Sequence, residues 1–233
     1  MRRWIWILLG LSACGSTPES PPVGMPEPYV PHHLEGWTVH VARILVEEQA
    51  ELGRQALRLL DVKLYEIQRV VPARALAELR KVPIWLCVGE GTKGGGRAEY
   101  HPSESWLREN GYKAFKAKGV EIGDAAGFLE YSIPQPWVLL HELAHAYHDR
   151  VLGFNHPGIQ EAYRAAVEGK KYERVLRIDG SRTRHYALRD EKEFFAECSE
   201  AWFGTNDFYP FVRAELRDFD PKGASLLETV WGP

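Results

Sequence analysis

Three residues within five positions have the types and the spacing to hold a metal ion. His141, Glu142 and His145 form the pattern H-E-x-x-H. If this stretch is helical, the two imidazoles lie one turn apart on the same face, and both can bind one Zn²⁺ ion. Glu142 is then placed to act as general base toward a water that the metal activates. The alternative is a solvated helix that carries the pattern by chance.

The residues around this pattern favour a helix from Trp137 to Phe154. Pro136 is suited to a first helical turn, and Gly153 is suited to a C-terminal end. Apolar residues recur at helical spacing, which predicts that one side of the helix is buried. They are Val138, Leu140, Leu143, Ala144, Tyr147 and Val151.

A catalytic zinc site needs a third protein ligand, because such sites use three and leave a position open. His148 lies on the same helix and would have to bend back toward the metal. The longer metzincin pattern is absent, since position 148 is His rather than Gly and position 152 is Leu. The third ligand is therefore expected from another element.

A second helix, predicted between Arg189 and Thr205, carries a stripe of three glutamates. Glu193, Glu197 and Glu200 follow the spacing i, i+4, i+7 and lie on one face. Carboxylates that approach the interior without a partner are costly, and a cation would explain them. Two alternatives remain open: a solvated face, or a capping box in which Glu193 pairs with an N-cap at Asp190.

The two segments together resemble the catalytic domain of anthrax lethal factor and the related Pro-Pro endopeptidases, which are gluzincin zinc metallopeptidases. In that family a Tyr stands seven positions before a ligand Glu, as Tyr186 stands before Glu193, and a phenylalanine-rich helix containing Glu follows. The similarity covers about 136–204. On the N-terminal side no matching substrate-binding element is recognised.

This resemblance implies a role for each residue of the site. The zinc ligands would be His141, His145 and Glu193, with Glu142 as general base. Tyr186 would stabilise the oxyanion, unless it is simply a core aromatic residue. Glu197, one turn beyond Glu193, would accept the free N–H of a ligand histidine. The implied fold class is α+β: a zincin-like, mostly helical domain with a small mixed sheet beside the H-E-x-x-H helix.

The remaining pattern predicts further helices and short strands. An edge strand beside the zinc helix would allow an extended peptide to add as one more strand, and we expect this role for the segment 127–132. The glycine-rich segment 89–97 lacks the spacing of a phosphate-binding loop. Helices are predicted at 39–70 and 72–80, and strands at 83–88, 98–101, 120–122, 127–132 and 172–178.

The N-terminal residues are predicted to be a targeting segment. Arg2 and Arg3 precede a short apolar run, and Leu11-Ser12-Ala13-Cys14 resembles the lipobox of bacterial lipoproteins. We expect a signal peptide over 1–14, a tether rich in Pro, Ser and Gly over 15–33, and a metallopeptidase-like domain over 34–233. The protein would then be exported and attached to the bacterial cell envelope through lipid on Cys14. An ordinary secretory signal is the alternative.

The composition and net charge indicate which classes of partner are expected for this chain. The net charge is −3 and no basic stripe occurs, which makes nucleic acid an unexpected partner. The hydrophobic share of 45% allows a large core. The absence of a second long apolar run argues against a protein with several membrane spans. For Cys87 and Cys198, buried free thiols are favoured over a disulfide because both lie in apolar surroundings.

The leading functional expectation is a zinc-dependent endopeptidase that binds a polypeptide in extended form. Two other readings stay open. One is a non-catalytic surface lipoprotein that binds a partner and carries a vestigial zinc site. The other is a zinc hydrolase that acts on cell-wall peptides.

Overall fold

A five-stranded mixed sheet and the helices packed against it form the frame of this α+β chain. The computed structural model describes residues 28–89 and 98–232. The strands of this sheet are β1 Tyr29–Leu34, β2 Trp37–Ala42, β3 Ile84–Leu86, β4 Ala98–Tyr100 and β5 Val120–Ile122. A small antiparallel pair is formed by β6 Val175–Leu176 and β7 Arg182–Thr183.

The helices account for most of the regular structure. They are α1 Arg43–Glu47, α2 Ala50–Val70, α3 Ala73–Leu79, α4 Glu104–Glu109, α5 Ala125–Tyr131, α6 Val138–Tyr147, α7 Pro157–Gly169, α8 Glu191–Phe203, α9 Arg213–Phe219 and α10 Pro221–Trp231. A π-helical turn, His148–Leu152, continues α6. In the part of the chain that the structure describes, none of these helices has the length and hydropathy needed to cross a bilayer.

The strand order β1-β2-β3-β5-β4 places β4 at one edge of the sheet. Strands β2, β3 and β5 run parallel, and the outer strands β1 and β4 are antiparallel to their neighbours. The β1–β2 hairpin turns through Glu35 and Gly36, whose φ angles are +49° and +90°. Positive φ at both positions is what a tight two-residue hairpin requires, and glycine tolerates it without strain.

The two faces of the sheet differ in character. On the inner face, alternate residues such as Val39, Ile84 and Val120 join the main core with α2 and α6. On the outer face lie Trp85 and Glu121, which alternate with those residues along the strands. The period of two explains this separation, because successive side chains in a strand point to opposite faces.

Helices α6 and α8 pack against each other and are buried almost around their whole circumference. Their ends also meet. Trp137 precedes α6, and its ring lies so close to Gly204, which ends α8, that a Cβ atom there would lie 1.9 Å from the ring. Gly204 therefore permits the close approach that brings α8 alongside the H-E-x-x-H segment.

Several predicted elements agree with the structure. The mixed α+β class, the short helix after Pro72, and the strands at 83–88, 98–101 and 120–122 are confirmed. The helix carrying His141 and the helix carrying Glu193 are also present. Cys87 and Cys198 are buried free thiols.

Other predictions were wrong. Residues 39–42 belong to β2 rather than to a helix, since Trp37, Val39 and Val41 alternate with a period of two. The segment 127–132 lies in α5, which Asp124 caps by accepting the N–H of Gly127 at 2.9 Å. Only 175–176 of the strand predicted at 172–178 is extended, and a 3₁₀ turn precedes it.

The predicted domain boundaries also need one correction. The folded region begins by Tyr29, because β1 pairs with β2 over its whole length, so the tether does not extend to residue 33. The predicted signal peptide, Cys14, residues 15–27 of the tether, and residues 90–97 of the glycine-rich segment lie outside the described residues.

Candidate metal centre

Three side chains from two helices converge at one point of the structure. His141 and His145 project from α6, and Glu193 projects from the first turn of α8. His141 Nε2 lies 3.1 Å from His145 Nε2 and 3.1 Å from Glu193 Oε2. His145 Nε2 lies 3.3 Å from the same carboxylate oxygen. The three atoms therefore form a nearly equilateral triangle.

The size of this triangle suits a zinc ion. With ligands at about 2.0–2.1 Å in a tetrahedron, neighbouring ligand atoms are about 3.3 Å apart. Two imidazoles and a carboxylate are also a donor set that Zn²⁺ prefers, and they leave one vertex of the tetrahedron open. Burial tends to raise the pKa of Glu193, but the hydrogen bonds from His141 and His145 outweigh it and hold the pKa below its ordinary value. The carboxylate is thus ionised, as a ligand must be.

Glu142 is held by the edge strand of the sheet. Its Oε2 accepts the backbone N–H of Tyr100, in β4, at 2.7 Å. Burial raises the pKa of Glu142, while the neighbouring charges of His141 and His145 lower it. A carboxylate with a raised pKa that borders the same cavity as these three side chains is suited to accept a proton.

The second side of the His141 ring contacts Glu200 rather than Glu197. Nδ1 of His141 lies 2.7 Å from Glu200 Oε1 but 3.8 Å from Glu197 Oε1. The predicted partner Glu197 instead accepts a hydrogen bond of 2.9 Å from the Asn206 amide. Glu200 therefore fixes the orientation of the ring, which corrects the assignment to Glu197.

Glu200 belongs to the predicted stripe of glutamates, but the sequence analysis assigned the contact with the histidine to Glu197. It lies two turns beyond Glu193 on the same face, whereas Glu197 lies one turn beyond. Burial and the Coulombic effect of Glu200 raise the pKa of Glu197 well above its usual value. Only the crossing of the two helices decides which glutamate reaches the ring.

The N-terminus of α8 explains how Glu193 is free to reach the histidines. Asp190 caps the helix by accepting the N–H groups of Lys192 and Glu193, each at 3.0 Å. In a capping box the Glu193 side chain would turn back to the N-cap. Here it points to the imidazoles instead, so only half of the box is formed.

Tyr186 borders the same cavity and is 40 % exposed, so it is not a core residue. It begins a 3₁₀ turn that leads into α8. The guanidinium of Arg189 donates to its hydroxyl oxygen, which leaves the phenol hydrogen available for another acceptor. Burial raises the pKa of Tyr186, so the phenol stays protonated at neutral pH. It can therefore act as a hydrogen-bond donor toward the cleft.

A cleft of about 740 Å³ opens over the three converging side chains. One wall is formed by β4, and the other by the segment from β7 into the first turn of α8. Because β4 is the last strand in the sheet order, its outer backbone groups face this cleft. The volume lies within the range of about 300–1,000 Å³ that is usual for ligand sites.

Three other histidines take no part in the triangle. His148 is fully buried beside Phe154 and Phe195. His101 and His185 are also buried. His101 bonds to Glu121 at 2.7 Å, and His185 accepts the N–H of Ala187 at 3.1 Å. Each of these two imidazoles has a hydrogen-bond partner, which explains how a polar side chain can be buried there.

Comparisons with models of known protein families, with curated proteins and with solved structures found no match to this chain. The site is therefore interpreted from its own geometry.

Proposed function

We propose that this chain is a zinc-dependent endopeptidase of the gluzincin type, with a zincin-like arrangement of helices α6 and α8 beside strand β4. The observation that carries the proposal is the triangle of His141 Nε2, His145 Nε2 and Glu193 Oε2, with edges of 3.1–3.3 Å. These residues would hold Zn²⁺. When bound, the metal lowers the pKa of water and polarises a carbonyl group.

The remaining residues would carry out the proton transfers. Glu142 takes a proton from the attacking water and delivers it to the amine of the leaving group. Its bond to the Tyr100 N–H keeps the carboxylate at the cleft wall. Tyr186 donates its phenol hydrogen to the carbonyl oxygen as negative charge develops there. Glu200 holds His141 in the tautomer that leaves Nε2 free for the metal.

A polypeptide in extended form is the substrate that best fits this cleft. Among the described residues β4 pairs with a strand only on its β5 side, so a peptide can add along its outer side beyond the Tyr100 N–H that Glu142 accepts. Side chains of such a peptide alternate toward the two walls. A cleft that is open along the strand suits cleavage within a chain, and we therefore favour an endopeptidase.

The test is metal analysis of the purified full chain, combined with cleavage of a peptide library in the presence and absence of a chelator. We expect one zinc per chain, cleavage that the chelator abolishes, and recovery on addition of Zn²⁺. His145→Ala should lose both metal and activity. Zinc binding without any peptide cleavage would favour the non-catalytic binding module instead. Cleavage of cell-wall peptides alone would favour a hydrolase of that class.

For the N-terminal segment we propose export and attachment to the cell envelope through a lipid on Cys14. The support is the order of charged, apolar and lipobox-like residues in the sequence. Incorporation of a labelled fatty acid into the wild-type chain, and its loss in Cys14→Ala, is the expected result. Export without labelling would indicate an ordinary secretory signal.

A further inference from the structure

Glu99, the middle residue of β4, has a carboxylate oxygen that no described residue satisfies. Its Oε2 atom is buried and accepts no hydrogen bond from any described residue. The residue borders the cleft that also contains His141 and Glu142. It is part of neither the ligand triangle nor the proton transfers described above.

On the outer face of the sheet, the side chains of Lys116 and His101 are bonded to another carboxylate. Glu99 lies directly opposite Glu121 in the β4–β5 pair. Lys116 Nζ contacts Glu121 Oε1 at 2.5 Å, and His101 Nε2 contacts Glu121 Oε2 at 2.7 Å. Both of these side chains therefore bond to Glu121, the residue opposite Glu99.

Among the described residues, the other side of the cleft supplies no hydrogen-bond partner to Oε2 of Glu99 either. Arg189 is near enough to lower the pKa of Glu99 slightly, but its guanidinium contacts Tyr186 and Glu193. Burial raises the pKa of Glu99 to about 7, although His101 opposes the shift. Burying a carboxylate without a partner is costly, and a cation that enters the cleft would remove this cost.

Glu99 lies next to the residue that contacts the proposed general base, and therefore close to the bond that would be cleaved. Tyr100, the next residue, donates its N–H to the proposed general base Glu142. Adjacent residues of a strand are about 3.3 Å apart along its axis. A substrate group that reaches Glu99 would therefore lie close to the scissile bond.

We propose that Glu99 is a specificity-determining residue whose carboxylate binds a cationic nitrogen of the peptide substrate beside the scissile bond. The nitrogen belongs to a lysine or arginine side chain. This inference rests on the proposed peptidase function. A charged hydrogen bond in a partly buried cleft corresponds to about tenfold or more in affinity or rate.

The experiment compares matched peptides with the zinc-loaded full chain. One pair contains lysine or acetyl-lysine at the position beside the cleaved bond, and a second pair has a free or an acetylated N-terminus. We expect the lysine peptide to be cleaved with a kcat/KM about tenfold higher than its acetyl-lysine partner, and the two N-terminal forms to be cleaved equally. In Glu99→Gln the ratio for the lysine pair should fall to within about twofold. Glu109→Gln, which neutralises an exposed carboxylate on α4, should keep the wild-type ratio.

Peptide binding, measured by fluorescence anisotropy on the same proteins, separates the two proposals. Cleavage with no preference for the lysine peptide, or a preference that persists in Glu99→Gln, overturns the role of Glu99 and leaves the peptidase proposal intact. If no peptide is cleaved, the peptidase proposal fails. A difference in affinity that depends on Glu99 would then still support a cation-binding site, and equal affinities would overturn it.

Discussion

The Nδ1 atom of His141 lies 2.7 Å from Oε1 of Glu200, and both side chains are buried. This contact joins α6 and α8 directly behind the candidate metal centre. An imidazole that donates Nδ1–H to a carboxylate has its Nε2 lone pair directed away, toward the metal position. The contact therefore couples the packing of the two helices to the tautomer of a proposed ligand.

Glu200→Gln is expected to weaken zinc binding by about tenfold, because a neutral amide is a poorer acceptor for the Nδ1–H group than a carboxylate. The measurement is the zinc dissociation constant from competition with a chromogenic chelator. Glu228→Gln, an exposed substitution on α10, should leave this constant unchanged. Equal dissociation constants for wild type and Glu200→Gln would show that the contact does not support the metal.

Glu142→Gln is expected to keep the metal but to lower peptide cleavage by about 10²–10⁴-fold, because the amide cannot accept the proton of the attacking water. Metal content and kcat/KM are measured on the same preparation. Its side chain can still contact the Tyr100 N–H through the amide oxygen, so the fold should persist. Full activity in this variant would remove Glu142 from the mechanism.

Tyr186→Phe is expected to lower kcat by about 10²-fold with little change in KM, because the phenol would donate to charge that develops only in the transition state. Tyr65→Phe, at an exposed position of α2, is the matched control and should leave kcat and KM unchanged. A change in KM alone would refute the oxyanion role and would indicate that Tyr186 contributes to substrate binding.

Gly204→Ala is expected to destabilise the fold by about 1–3 kcal/mol, because the new Cβ would overlap the Trp137 ring and force the ends of α6 and α8 apart. Urea unfolding measures the change, and zinc affinity should fall with it. Gly169→Ala, where a Cβ has open space within 4 Å, is the control and should not lower the stability. Unchanged stability in Gly204→Ala would mean that the Trp137 ring moves without cost.

His148→Leu tests the effect of pH on the core beside the site. Burial lowers the pKa of His148 to about 4, and neither ring nitrogen has a hydrogen-bond partner among the described residues. The unfolded chain, with a histidine pKa of about 6.5, binds the proton first. The free energy of unfolding should therefore fall as the pH decreases from about 6.5 toward 4.

Between pH 7 and pH 4.5, the free energy of unfolding should fall by about 2 kcal/mol less in His148→Leu than in the wild type. Urea unfolding in the presence of a chelator measures this difference without the contribution of bound metal. His33→Leu, which replaces an exposed histidine, should behave as the wild type does. A parallel loss of stability in wild type and His148→Leu would show that His148 is already protonated or solvated in the folded chain.

Local patterns were sufficient to predict the helices that carry the site. His141 and His145 lie on one helical face because residues four apart do so in any α-helix, and the glutamates of α8 follow the same rule. The short strand β3 could also be predicted, since a compact apolar run is typical of a buried strand, and in β5 Val120 and Ile122 alternate with Glu121 at the period of a strand. Residues 127–131 illustrate the limit, because a short mixed stretch with apolar residues fits a strand and a helix equally well until Asp124 caps the helix.

The sequence by itself determined which residue types stand one turn apart on each of two helices, since backbone geometry alone sets that spacing. Only the tertiary structure decided that Glu193, which is 52 positions from His141, meets the two imidazoles, and that Glu200 rather than Glu197 reaches Nδ1. The same holds for Glu99, whose Oε2 atom has no hydrogen-bond partner among the described residues while Lys116 and His101 bond to Glu121 on the neighbouring strand. These contacts depend on how helices cross and strands pair, which are long-range packing choices that no local pattern encodes.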